Sequence, residues 1–164
     1  MTRSPARRDW IRRVERGLLA TGLYLLPFVW GRRLGLPPIH LAWWLGAWFP
    51  LPPRAAIALG WVAEGGLGYL AAFLYETLAR FRPAPPLGQG LGFGAAWAVA
   101  VGAVGLPLFD RFSPLVQSGA ILAPGPFGAA YGWGAALTWL AAALAMGTGL
   151  ALAPSRGPDF PSVR

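Results

Sequence analysis

Two runs of this sequence carry no charge at all, Pro83 to Phe109 and Phe112 to Ser155. A core helix in a small soluble domain keeps a polar face toward water. Runs this long without one suit the hydrocarbon of a bilayer, which is about 30 Å thick and takes about 20 apolar residues to cross. They point to an integral membrane protein. Composition agrees: 55% of the 164 residues are hydrophobic and 12% are charged, about half the charged share of a soluble domain.

The same residues exclude several chemistries. There is no cysteine, so disulfides, thiol catalysis and cysteine-bound zinc or iron–sulfur clusters are ruled out. Every one of the 14 basic residues is arginine, which removes lysine Schiff-base chemistry. In a soluble chain a net charge of +8 would suggest nucleic acid. Here the arginines cluster at the ends of apolar segments, where they fix orientation in a membrane. The expected partner is the lipid bilayer, with no nucleic acid.

The order of apolar segments predicts an all-α membrane protein with four transmembrane helices plus a short Trp-rich helix, interfacial or re-entrant. Residues 1–16 form a basic cytoplasmic arm with six arginines. Their charge resembles a signal peptide, but no small-residue cleavage site follows, so an uncleaved first span is expected. Residues 17–152 form the transmembrane domain, with spans at about 14–30, 55–78, 90–108 and 127–152. Residues 153–164, rich in proline and serine, are expected to be disordered. Pro27 is expected to kink or end the first span, and Pro107 to end the third.

Leu34 to Pro53 is also charge-free, but prolines at 37, 38, 50, 52 and 53 bound it. About eleven helical residues remain, roughly 16 Å of rise, too short to cross. Trp43, Trp44 and Trp48 favour the membrane–water interface, with His40 beside them. Four spans put both termini on one side. Six arginines of the arm with Arg80, Arg82, Arg156 and Arg164 face one side. Arg32, Arg33, Arg54 and Arg111 face the other. The richer side is cytoplasmic, which predicts a bacterial inner-membrane protein with both termini inside.

Small residues recur every four positions. Gly60, Gly68 and Ala72 mark one face of span two, Gly94 and Gly102 one face of span three, and Gly128 and Gly132 the start of span four. Helices in lipid associate through such close-packing positions. The stripes fit helices packed around a site, and they fit generic membrane packing equally well.

Glu64 stands on the span-two stripe, about 14 Å from the start of that span and so near mid-bilayer. A central acid costs about 2.5–3.5 kcal/mol by insertion scales. Protonation, a hydrogen bond or water lowers that cost. Tyr131 and Thr138 on span four are candidate partners, as is Trp97 on span three. Glu64 is then a proton- or cation-handling group, a polar latch between helices, or a contact for a partner or ligand. Glu76, near the end of the same span, is expected to pair with Arg80 four residues on. His40 is the single histidine and makes no metal site. No hydrolase elbow, phosphate loop or paired carboxylates appear. No catalytic residue, metal or cofactor is expected.

"LPPR" (Leu51–Arg54), "AEGGLGYLAAFLYE" (Ala63–Glu76), "LGQG" (Leu87–Gly90) and "LPL" (Leu106–Leu108) stand in an order that resembles the YagU-like bacterial inner-membrane proteins. That group has a histidine near the place of Glu64 and an acid before the "PPR", where this chain has Trp48. The resemblance implies a multi-span inner-membrane protein and no particular reaction. The expected role is a non-enzymatic accessory or interaction protein, packed against itself or a larger membrane complex. The alternative is a small proton- or cation-linked transporter or channel-like protein that uses Glu64.

Overall fold

A computed structural model of the protein describes residues 5–33, 40–81 and 85–153. Among them every regular element is helical. The order is α1 (Pro5–Arg33), α2 (Leu41–Gly46), α3 (Pro53–Ala79), α4 (Pro86–Ala100), a π-turn (Val101–Gly105), α5 (Leu106–Phe112), α6 (Pro114–Gln117), a 3-10 turn (Pro126–Tyr131) and α7 (Trp133–Leu152). Prolines open α3 and α4, where the missing N–H costs nothing and the fixed φ suits a helix.

Among the described residues, three helical stretches are long and apolar enough to cross a membrane: Pro53–Ala79, Pro86–Phe112 and Trp133–Leu152. The chain is thus an all-helical protein of membrane type. α1 is longer than any of them at 29 residues, but arginines fill its first half. Its charge-free part runs only from Gly17 to Gly31, so three helices rather than four meet both requirements.

Element bounds differ from the sequence reading for local reasons. α1 begins at Pro5 and runs through Pro27 to Arg33, so most of the basic arm is helical and Pro27 does not end the helix. Pro107 does not end the third stretch either. A proline ring inside a helix collides with the carbonyl four residues back. Here the turn before it widens to π form, with Leu106 N–H bonded to Val101 O. The helix resumes as α5. α7 starts at Trp133 rather than near 127, because Gly128 (φ 71°) and Gly132 (φ 95°) leave helical space. Residues 154–164, the expected disordered tail, lie outside the described residues, as do 34–39.

The long helices form an open row. α3 packs on α1, α1 on α7, and α7 on α4, whereas α3 and α4 barely meet. Small residues make each seam. Gly17 of α1 faces the Gly68–Tyr69 backbone of α3. Gly149 of α7 faces Ala20 of α1, and Gly94 of α4 faces the Ala143 backbone of α7. α2 lies on the first half of α3, with Gly46 against Ala56 and Gly60 against Ala42, backbone to backbone. A Cβ at Gly60 or Gly46 would overlap the facing carbonyl, so these contacts need glycine.

Two apolar clusters fill the interior. One gathers Phe28, Trp44, Leu106, Leu115, Ala135, Trp139 and Ala142. The other gathers Ala20, Ala71, Ala72, Tyr75, Met146 and Leu150. Tyr24 packs against both, and the space between them is where Glu64 lies.

Candidate functional site

Glu64 sits near the middle of α3, about 17 Å from its first residue. The face it shares with Gly60, Gly68 and Ala72 is turned inward, because those small residues let α2 and α1 come close. Glu64 is 7% exposed. Among the described residues, neither of its carboxyl oxygens has a hydrogen-bond partner. A buried polar group left unpaired costs about 1–3 kcal/mol, and an ionised one costs more.

Two cavities meet at this carboxyl. The smaller, about 220 Å³, runs between α1, α2 and α3 and is lined by Phe28, Arg32, His40, Trp43 and Trp61. The larger, about 310 Å³, lies in the cleft between α3 and α4 and is lined by Thr21, Tyr24, Trp44, Leu67, Trp97, Phe109, Trp139 and Met146. Leu41 and Glu64 belong to both walls. Along α1, Tyr24 stands beside the larger cavity. Arg32 lies about two turns farther on, roughly 12 Å. The smaller cavity therefore reaches toward the end where α1 finishes and α3 begins, and its rim carries the cationic and imidazole groups.

The partners expected for Glu64 are engaged elsewhere. The Thr138 hydroxyl donates to Gly134 O at 2.8 Å within its own helix. The Tyr131 hydroxyl donates to Leu122 O at 2.5 Å and ties the loop before α7. Trp97 does reach the site, as part of the larger cavity wall. Gly65 and Gly66 lie in unbroken helix and face open space.

Glu76 behaves differently from both Glu64 and its expected role. Its partners are Arg13 and Arg16 of α1, each at 2.9 Å, not Arg80 on its own helix. The neighbouring helix brings two guanidinium groups to the same carboxylate, which outcompete one i,i+4 pair. Arg16 also donates to Ala153 O at 3.4 Å, joining α7 to the cluster. The hydrogen bond to Glu76 holds the Arg13 guanidinium above its ordinary value.

The Trp-rich segment divides. Trp44 is not on a rim. It is 4% exposed and stacks on Phe109 with ring centroids 5.1 Å apart, because α2 lies flat on α3 and turns this side chain inward. Trp43 is half-buried in the smaller cavity wall, and His40 and Trp48 are exposed. Of the small residues, Gly94 meets α7 and Gly102 meets the Phe127 ring. Gly128 meets Trp139 from a turn rather than a helix. Gly132 meets nothing within 4 Å. It caps α7 in a conformation that favours glycine.

Sequence reasoning missed Thr21, Tyr24, Phe109 and Trp139. One signal for the first two was present. Glu76 needs a cation, and Arg13 and Arg16 flank the start of the first apolar segment. Pairing them sets the antiparallel register of α1 on α3, which brings Tyr24 near the level of Glu64 and Thr21 against Gly68, one turn away.

Among the described residues no three potential ligands are grouped for a metal ion. No known protein family, curated protein or solved structure matches this chain. Chemically, the site offers one carboxyl between a largely apolar, aromatic cavity and a smaller one that carries Arg32 and His40.

Proposed function

We propose that this chain is a small cation-handling membrane protein, a proton- or cation-linked transporter of channel-like build, with Glu64 as its working group. The observation that carries the reading is the meeting of two cavities at a buried, unpartnered carboxyl. A carboxyl in apolar surroundings is stable when it holds a proton or a cation. Alternate occupation by the two is the elementary act of coupled exchange. The chain is not an enzyme in this reading, and among the described residues no second acid lines either cavity.

In the same reading α1 is the first of four spans. Its arginines at 12, 13 and 16 lie at the headgroups, and both termini face the cytoplasm of a bacterial inner membrane. The order of motifs that resembles the YagU-like proteins agrees with that location. A second reading has its own support. α3 and α4 leave a cleft between the ends of the row, and a helix of a partner protein or of a second copy would close it. The chain is then an accessory or interaction protein.

The test is proton entry into vesicles. Protein reconstituted in liposomes with an internal pH dye receives an external acid pulse. Wild-type protein is expected to admit protons faster than Glu64→Gln. Equal rates in the two would remove the transport reading and leave the accessory one.

A further inference from the structure

We propose that the larger cavity binds a lipophilic organic cation, an ammonium or alkylated ammonium on an aromatic or branched apolar body. The proposal rests on the cation-handling role of Glu64 and names the class of ligand it takes. The counter-charge is Glu64 itself, more than nine-tenths buried and with neither oxygen partnered among the described residues. The rest of the wall is apolar, and five aromatic side chains contribute to it: Tyr24, Trp44, Trp97, Phe109 and Trp139. Aromatic faces attract cations, most strongly where both are desolvated, and they suit methylated ammonium groups that have no N–H to donate.

The wall is a poor host for the alternatives. A hard metal cation needs about six oxygen ligands or retained waters. Among the described residues, the side-chain oxygens in this wall besides the Glu64 carboxyl are the Tyr24 and Thr21 hydroxyls, and Thr21 already donates to Gly17 O at 2.9 Å. A lipid acyl chain would suit the apolar wall but leave the carboxyl unpartnered. The volume, about 310 Å³, lies at the small end of the range for small-molecule sites.

Benzyltrimethylammonium and its uncharged carbon isostere, neopentylbenzene, separate charge from shape. Binding of each to the full chain in lipid nanodiscs is followed by tryptophan fluorescence, since three tryptophans line the cavity. The cation is expected to bind wild type at least about tenfold more tightly than the isostere, and to lose that advantage in Glu64→Gln. Equal binding of the two compounds to wild type would overturn the proposal and assign the cavity to acyl chains. Unchanged cation affinity in Glu64→Gln would overturn it as well. Should that variant fail to fold, wild type alone decides. The cation, but not the isostere, must protect Glu64 from modification by dicyclohexylcarbodiimide, and absence of that protection refutes the ligand class. Proton entry that depends on Glu64 without cation binding would sink this proposal and leave the proposed function standing. Loss of both would sink the two together.

Discussion

Glu64 and Glu76 lie on one helix, twelve residues and about 120° of turn apart, and meet opposite surroundings. Glu76 is held by Arg13 and Arg16 at 2.9 Å each, where α1 and α3 come together near their polar ends. Glu64 is more buried and has no partner. The seam that joins α1 to α3 through Gly17 and Gly68 lies between them. A carboxylate meant to hold helices together sits where cations can reach it. The other lies between two cavities, and in the proposed function it takes up a proton or cation that comes and goes.

The comparison is broken most severely at its hinge. Gly68→Leu places a side chain against Gly17 O and Thr21. Overpacking of this kind costs about 3 kcal/mol or more where backbone lies opposite. Both carboxylates lose their settings. The expected outcome is a large fall in the midpoint of thermal unfolding in detergent. A midpoint equal to wild type would mean the α1–α3 seam is not as close as described.

Next in size is Glu76→Gln. Its two ion pairs are partly buried, with side chains 14–28% exposed. Loss of the carboxylate is expected to cost about 1–2 kcal/mol, between the values for exposed and buried pairs. Proton entry should survive in whatever protein remains folded. Glu64→Gln should do the reverse. It removes no hydrogen bond, so stability should stay within about 0.5 kcal/mol of wild type, while proton entry is lost. The two carboxyls are about 18 Å apart along the helix, so the double variant should show additive stability changes. Non-additivity of 1 kcal/mol or more would mean that the two sites are coupled.

The smallest expected effect concerns pH. The folded state raises the Arg13 guanidinium above its ordinary value. A group raised on folding contributes stability that is complete below its unfolded value and lost as pH climbs through the folded one. Arg13 therefore loses its contribution only in strong alkali. Arg13→Lys should move that loss to lower pH, where an alkaline unfolding series can follow it.

Much of this was legible in the sequence, and the reasons for the remainder are specific. Charge-free runs marked two of the three apolar stretches, those after Pro86 and after Trp133, and the four-residue rhythm of Gly60, Glu64, Gly68 and Ala72 marked the inward face of α3. Where helices continued past Pro27 and Pro107, the outcome depended on a widened turn and on neighbouring packing, which a rule for single residues does not contain. The burial of Trp44 against Phe109 was not legible, because it arises from a helix that lies flat on another and turns one side inward. The partners of Glu76 were hidden because they come from more than fifty positions away. Glu64 was visible as an anomaly. Its cavities were not, since they are made by residues of α1, α2, α4, α5 and α7 that only the fold brings together.

The most direct measurement is an infrared titration of the Glu64 carboxyl in lipid vesicles, taken as the difference between wild type and Glu64→Gln. A carboxyl band that rises and falls with the pH outside the vesicle would mean that the group is reachable and unlatched, as this account predicts. A band that stays fixed across the whole range would mean a sealed carboxyl, and Glu64 could then carry neither protons nor cations.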